Sequence, residues 1–124
     1  RSGLCVTDRR SGQYFYHLAA CARVTPDLAE RITGAPLVFF DGTVWQDDEL
    51  IAAGLGSKTG QAMGHIAMSG ADGAIAALAP LNIARKLFLH INNSNPALLA
   101  DSPERKAARQ AGWEIASDGM EIAL

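Results

Sequence analysis

The 124-residue sequence has few of the features that mark several classes of protein. Its two cysteines, Cys5 and Cys21, are too few for a disulfide framework and lack the CxxC spacing of a zinc ribbon, so we expect two buried, reduced thiols. Its 11 Lys and Arg residues do not outnumber its 13 Asp and Glu residues, so the basic excess typical of nucleic-acid binding is absent. No apolar run approaches the roughly 20 residues of a membrane helix. We therefore expect a cytoplasmic protein with no nucleic-acid partner and no membrane partner.

The sequence does contain enough apolar material for a packed core, with 48 % hydrophobic residues and a mean hydropathy of +0.05. Its length fits one domain or part of one. A β-type run from Gly3 to Asp8 starts almost at the first residue, which is Arg1 and not Met. We therefore expect residues 1–124 to be a C-terminal fragment or a processed half of a longer protein. The oligomeric state stays open, with a homo-oligomer among the options.

Strand-like and helix-like segments alternate along the chain. Two β-type runs within the first 20 residues predict a hairpin, and Pro26 directly after Thr25 predicts a capped helix start. The continuous apolar runs Leu37–Phe40 and Arg85–Ile91 predict strands that are covered on both faces. This alternation predicts a layered α/β protein.

The remaining segments predict further helices and a closing hairpin. Residues 47–51 predict a short helix with its acids in the first turn, and residues 69–81 predict a longer one. Ser102 followed by Pro103 repeats the capped helix start. The pair Asp118-Gly119 predicts a two-residue turn between two strands in residues 113–124.

Two ionisable residues stand at the ends of the two apolar runs. Asp41 follows Leu37–Phe40, and His90 lies at the end of Arg85–Leu89. In open α/β sheets the functional crevice lies at the carboxyl ends of the strands, so both side chains are expected there. A carboxylate and an imidazole suit a divalent ion such as Zn²⁺ or Fe²⁺. The alternative is that Asp41 only caps a turn and that the His90 ring bonds a neighbouring carbonyl.

Other polar residues near these positions are candidates for chemistry. His65 follows a glycine-rich stretch and is a candidate third ligand or general acid/base, because histidine titrates nearest neutral pH. A solvated loop histidine is the alternative. Asn92, Asn93 and Asn95 are candidates to orient a polar substrate beside His90, although Asn95-Pro96 is also an ordinary turn start.

Five motifs follow one another in the order FFDGT-WQDDE (39–49), MGH-x-x-M-SG (63–70), FLHINNSNP (88–96), SPER (102–105) and AGWEIA-DGMEI (111–122). In this order they resemble the PQQ synthesis protein B family of the metallo-β-lactamase-like superfamily, over nearly the whole chain. The resemblance implies a four-layer αββα sandwich, of which this chain is the C-terminal half, with a metal site at the sheet edges.

The resemblance also implies a part in the biosynthesis of pyrroloquinoline quinone (PQQ). One implied activity is an iron-dependent oxygenase that hydroxylates the tyrosine of a peptide-derived, cross-linked Glu-Tyr precursor. Two alternatives stay open, namely a non-catalytic carrier of PQQ or its precursor and a metal-dependent hydrolase, the commonest chemistry of the superfamily.

The metal ligands that the resemblance implies in this chain are Asp41 in FFDGT and His90 in FLHINN. The candidate catalytic residues are His90 and His65, with His65 proposed from its position after the glycine-rich stretch and not from the resemblance. The resemblance favours Fe²⁺, and Zn²⁺ is possible. The superfamily's N-terminal Asp-His metal motif and the family's zinc-binding cysteine cluster do not occur in these residues. Because tight sites usually have three or more protein ligands, this segment alone is expected to bind metal weakly.

Overall fold

The computed structural model describes residues 2–123 and forms one five-stranded sheet with helices packed against it. The sheet order follows the chain, with β1 antiparallel to β2 and the remaining neighbours parallel. The strands are β1 (Ser2–Thr7), β2 (Tyr14–Ala20), β3 (Val38–Asp41), β4 (Lys86–Leu89) and β5 (Trp113–Ile115). The helices are α1 (Pro26–Ile32), α2 (Glu49–Ala52), α3 (Ala74–Leu78) and α4 (Pro103–Gln110), with short 3₁₀ turns at Gln61–Met63, Ala79–Leu81 and Pro96–Leu98. The predicted α/β class and the N-terminal hairpin are confirmed.

Both predicted capped helix starts are confirmed. The Thr25 hydroxyl accepts a hydrogen bond from the backbone N–H of Leu28 at 3.2 Å, and α1 begins at the following proline. The Ser102 hydroxyl accepts from the backbone N–H of Arg105 at 3.0 Å, and α4 begins in the same way. Each hydroxyl satisfies a backbone donor that the first helical turn leaves without a partner.

The hydrophobic core lies on one face of the sheet. Strand side chains on this face pack against residues of the helices and loops, and they include Leu18, Val38, Phe40, Phe88 and Trp113. The Trp113 ring stacks on Phe88 with centroids 3.8 Å apart. Aromatic contacts of this kind add to the area that they bury. The helices and loops therefore bury the centre of this face, while Tyr14, Tyr16 and Ile115 stay half-buried towards its edges.

The opposite face of the sheet is only partly covered. Phe15, Phe39 and Leu89 are half-buried there and line a groove of about 390 Å³ together with Met120 and Ile122. The prediction that β3 and β4 are buried on both faces is therefore wrong in part, because residues 116–122 do not cover the whole face. No helix among residues 2–123 is long and apolar enough to cross a membrane.

Two predicted elements are shorter than the sequence pattern indicated. The helix predicted over residues 69–81 is α3 alone, because Gly70 has a φ of 86° and residues 69–73 form a turn. A Cβ at Gly73 would lie 2.1 Å from the Ser69 carbonyl oxygen, so the chain turns too tightly there for other residues. The strand predicted over Arg85–Ile91 ends at Leu89.

The predicted C-terminal hairpin is wrong. Asp118 and Gly119 do form a turn, but no second strand follows β5 in the residues described, which end at 123. The apolar side chains of Met120 and Ile122 instead line the groove on the partly covered face. Met120 stays exposed at this groove and Ile122 is half-buried there.

The two cysteines do not match the expectation of buried thiols. Cys5 is exposed on the edge strand β1, and Cys21 is half-buried directly after β2. Strand β1 lies at the edge of the sheet beside β2, and its residues 4–7 are exposed.

Candidate functional site

Asp41 is the last residue of β3, and none of its surface is exposed. Its Oδ1 accepts the backbone N–H of Thr43 at 3.0 Å and the Thr43 hydroxyl at 2.7 Å. Its Oδ2 accepts the backbone N–H of Cys21 at 3.0 Å and lies 2.8 Å from Nδ1 of His65. Because a carboxylate offers about four lone-pair sites, these contacts hold it in one orientation. Asp41 therefore caps its turn, as one interpretation of the sequence held, and also contacts a histidine.

His65 is oriented by this carboxylate. Its backbone N–H donates to the Gly60 carbonyl oxygen at 2.8 Å, and its Nδ1 also lies 3.2 Å from the Thr43 hydroxyl oxygen. The facing carboxylate assigns the hydrogen to Nδ1 and leaves the lone pair on Nε2. The His65 side chain keeps 27 % of its surface exposed. An imidazole held in this way is able to accept a proton or bind a metal through Nε2.

His90 directly follows β4 and is exposed. Its φ of 58° lies in the left-handed region, which costs an L-residue about 1 kcal/mol or more. Within residues 2–123 the His90 ring has no hydrogen bond and no ion pair, so the interpretation that it bonds a neighbouring carbonyl is wrong. Backbone conformations of this kind cluster at functional sites.

The ends of β3 and β4 lie side by side. Asp41 is the register partner of Leu89, and the Gly42 backbone N–H donates to the Leu89 carbonyl oxygen at 2.8 Å. A Cβ at Gly42 would lie 2.9 Å from that oxygen, so glycine permits the close approach. The backbone of His90 therefore begins beside the end of the strand that carries Asp41.

The charges and ligand atoms at this edge fit a divalent ion in part. The Asp41 carboxylate is buried and, in the described part of the chain, its ion-pair partner is His65 and no Lys or Arg. A buried carboxylate is stable when it is hydrogen-bonded, paired or bound to a metal. A carboxylate with imidazole nitrogens is a donor set that Zn²⁺ and Fe²⁺ accept. Residues 2–123 contain no group of three or more His, Cys, Asp or Glu side chains able to hold an ion, so a tight site needs further ligands.

The three asparagines after β4 differ in their surroundings. Asn95 is 1 % exposed, and its amide donates to the Gly42 carbonyl oxygen at 3.0 Å and contacts the Met68 sulfur at 3.1 Å. Its side-chain oxygen accepts the backbone N–H of Ala97. Asn95 is therefore occupied within the fold. Asn92 is half-buried and Asn93 is exposed, so the prediction of a substrate contact stays with these two.

Sequence reasoning missed two residues of this edge. Thr43 bonds Asp41 and contacts His65, and Glu49 is a second buried carboxylate, 8 % exposed, at the start of α2. The motif FFDGT contained Thr43, and a threonine two residues after a turn aspartate is a recognisable partner. For Glu49 the sequence indicated only an acid in the first turn of a helix, because its partner Ser94 is 45 residues away in sequence.

The sequence comparisons give a consistent result. A protein-family model described as the Beta-lactamase superfamily domain matches residues 2–91. Coenzyme PQQ synthesis protein B of Bradyrhizobium diazoefficiens is 70 % identical over 122 residues, covering 98 % of this chain and 40 % of that protein. The protein of the same name from Rhodopseudomonas palustris is 68 % identical over the same shares of each chain. The chain thus spans about 40 % of the length of the curated relatives that it matches.

Two solved structures share the fold. The crystal structure of Zn²⁺-bound PqqB from Methylobacterium extorquens has a TM-score of 0.94 and 48 % identity, covering 98 % of this chain and 43 % of that chain. A diphosphatase of the PhnP family has a TM-score of 0.57 and 18 % identity, covering 98 % of this chain and 42 % of that chain. The second likeness concerns the fold alone.

Proposed function

This chain belongs to the β-lactamase superfamily, and from that premise we propose that it is the C-terminal part of a protein of PQQ biosynthesis. The structural observation that carries the proposal is the 2.8 Å contact between the buried Asp41 carboxylate and Nδ1 of His65. Asp41 ends β3, and His90 follows the neighbouring strand β4. An N-terminal half completes the site in this proposal. The cytoplasmic location expected from the sequence stays a prediction.

Asp41 and His90 are the proposed ligands of a divalent ion, with the remaining ligands from the N-terminal half. The support is the donor set, since His90 presents an imidazole with no partner in the described chain and Asp41 a buried carboxylate. Asp41 would exchange one of its four contacts for the ion. The related protein from M. extorquens was crystallised with Zn²⁺. We favour Fe²⁺ as the working ion, because it supplies the activation of O₂ that ring hydroxylation requires.

The proposed reaction is hydroxylation of the tyrosine ring in the peptide-derived Glu-Tyr precursor by O₂. One oxygen atom would enter a ring C–H bond, and the other would leave as water with two electrons and two protons from an external two-electron reductant. In this reaction His65 accepts or returns a proton at Nε2, while Asp41 and Thr43 keep its ring in one orientation. The side-chain amides of Asn92 and Asn93 are the proposed contacts for polar groups of the precursor. These roles need a polar edge that is partly open to solvent, and the exposed fraction of His65 provides it.

A carrier of PQQ or its precursor is the second candidate function. The half-buried Asn92 and the exposed Asn93 favour it, because holding a polar ligand requires polar side chains and no reaction centre. A metal-dependent hydrolase is the third function that the superfamily resemblance leaves open, and it would use the same proposed ligands to activate water. The three functions differ in what they require of His90.

The proposal is tested by metal content and tyrosyl hydroxylation of the whole protein, its His90→Ala variant and a His17→Ala control. We expect His90→Ala to lose metal and hydroxylation together, because the imidazole is a ligand, and His17→Ala to keep both. Full hydroxylation by His90→Ala contradicts the proposal. Precursor binding that survives His90→Ala, with no hydroxylation by the unaltered protein, identifies a carrier. Release of a hydrolysed product identifies a hydrolase.

A further inference from the structure

Glu49 is a buried carboxylate that the proposed reaction does not use. Asp41 and Glu49 are the two carboxylates buried in the described part of the chain. Oε1 of Glu49 accepts the backbone N–H groups of Trp45 at 2.7 Å and Gln46 at 2.9 Å. Oε2 accepts the Ser94 hydroxyl at 2.7 Å. One side chain therefore fixes the loop after β3 and reaches the loop after β4.

The contacts continue from Ser94 towards the candidate site. The Asn92 amide donates to the Ser94 hydroxyl oxygen at 2.8 Å, and the Asn92 backbone N–H donates to the Thr43 carbonyl oxygen at 3.1 Å. Thr43 in turn donates to Asp41. His90 is two residues before Asn92 on the same loop. A chain of hydrogen bonds thus runs from Glu49 through the His90 loop to the Asp41 carboxylate.

We propose that Glu49 is a positioning residue, which holds residues 90–95 against residues 42–46 and so keeps His90 beside the Asp41–His65 pair. The proposal rests on the proposed function, since it concerns the same site. The His90 ring has no hydrogen bond of its own in the described chain, so the position of its loop sets the position of the ring. Glu49 lies on α2 and is 45 residues from Ser94 in sequence, yet the two side chains are hydrogen-bonded.

Substitutions at Glu49 and Ser94 distinguish the effect of the hydrogen bonds from the effect of the Glu49 charge. In Glu49→Gln the carbonyl oxygen accepts the two backbone N–H groups, and the amide nitrogen donates to the Ser94 hydroxyl oxygen. This variant therefore preserves the connection between the loops without a charge. Glu49→Ala removes all three contacts, whereas Ser94→Ala removes the connection between the loops alone. Asp48→Ala is the matched control, because Asp48 is the exposed neighbouring acid and its side chain makes no cap hydrogen bond.

The first measurement is amide hydrogen exchange in the whole protein, read at Asn92 and at Val38. The Val38 N–H bonds the Arg85 carbonyl oxygen in the sheet and reports the stability of the fold. We expect exchange at Asn92 to rise about tenfold in Glu49→Ala and Ser94→Ala, with Val38 unchanged. Glu49→Gln and Asp48→Ala should match the unaltered chain. Equal acceleration at both amides, or none at Asn92, overturns the proposal.

The second measurement is Zn²⁺ affinity of the same variants in the whole protein. We expect a loss of about tenfold in Glu49→Ala and Ser94→Ala, as is typical when a residue that supports a metal ligand is removed, and rescue in Glu49→Gln. Unchanged affinity in Glu49→Ala overturns the positioning role. Failure of the proposed function looks different, because His90→Ala would then leave Zn²⁺ affinity unchanged, while the exchange at Asn92 still reports on Glu49.

Discussion

Asp41 and His90 stand at the ends of neighbouring strands and are held in opposite ways. Asp41 has none of its surface exposed and accepts three hydrogen bonds besides its contact with His65. His90 is exposed, has no side-chain partner in the described chain and carries a φ of 58°. The chain itself thus determines the orientation of the carboxylate, whereas the backbone alone places the imidazole.

The two faces of the sheet also differ in how fully their side chains are packed. Helices and loops bury Phe40 and Phe88 on one face, whereas Phe39 and Leu89 line an open groove on the other face. Side chains that are fully packed therefore contribute to the stability of the fold, whereas side chains that face solvent are accessible to a ligand. The different burial of the Asp41 and His90 side chains predicts a larger loss of stability from substitution of Asp41 than from substitution of His90.

The largest effect is expected from Asp41→Ala. The substitution leaves the buried N–H groups of Cys21 and Thr43 without acceptors, and we expect the free energy of unfolding to fall by about 3 kcal/mol. Chemical denaturation of this chain measures the loss. Asp48→Ala, at an exposed acid in the same region, is the control and should change stability little. Equal stability of the Asp41→Ala chain would show that the carboxylate is not held as described.

Smaller effects on the free energy of unfolding are expected at His90 than at Asp41. In His90→Gly we expect unfolding free energy to stay within about 0.5 kcal/mol, because relief at positive φ offsets the added freedom of glycine in the unfolded chain. In His90→Val we expect a loss of about 1–2 kcal/mol, since a β-branched residue disfavours this backbone strongly. Thermal unfolding of the two variants is the measurement. A stable valine variant would contradict the left-handed backbone at this position.

The smallest effect is expected at the exposed ion pair between Arg85 and Glu114. The hydrogen bond from Arg85 holds the pKa of Glu114 below its ordinary value of 4.5. A carboxylate whose pKa is lowered on folding stabilises the fold above its ordinary pKa, and the stabilisation is lost as pH falls through the lowered value. We expect Glu114→Gln to lower stability slightly at pH 7 and to reduce the pH dependence below about 4.5. A pH series of thermal unfolding checks this, and an unchanged acid dependence contradicts it.

The sequence predicted the features that depend on local chemistry. Thr25 and Ser102 cap helices as predicted, because capping requires a hydroxyl before the first turn and a proline within it. Asp41 and His90 were predicted from the ends of two apolar runs, since parallel strands bring their carboxyl ends to one edge. These predictions need no knowledge of distant contacts.

The features that depend on distant contacts were not predictable in this way. The bond from Ser94 to Glu49 joins two loops, and neither segment carries a signal for the other. The Asp118-Gly119 turn predicted a hairpin, but Met120 and Ile122 line the groove beside Phe39 instead. The local turn chemistry was present, but in the described residues no strand pairs with β5 after it.

The most direct test of the proposed site is a Zn²⁺ titration of the whole protein, followed by the ring resonances of His17, His65 and His90. His17 lies on β2, contacts Phe39 on the partly covered face, and serves as the internal control. We expect the His90 ring resonances to shift most and those of His65 to follow, because its Asp41 partner shares the ion, with His17 unchanged. Equal shifts at His17, or a His90 ring that does not respond to Zn²⁺, would contradict a metal site shared by Asp41 and His90.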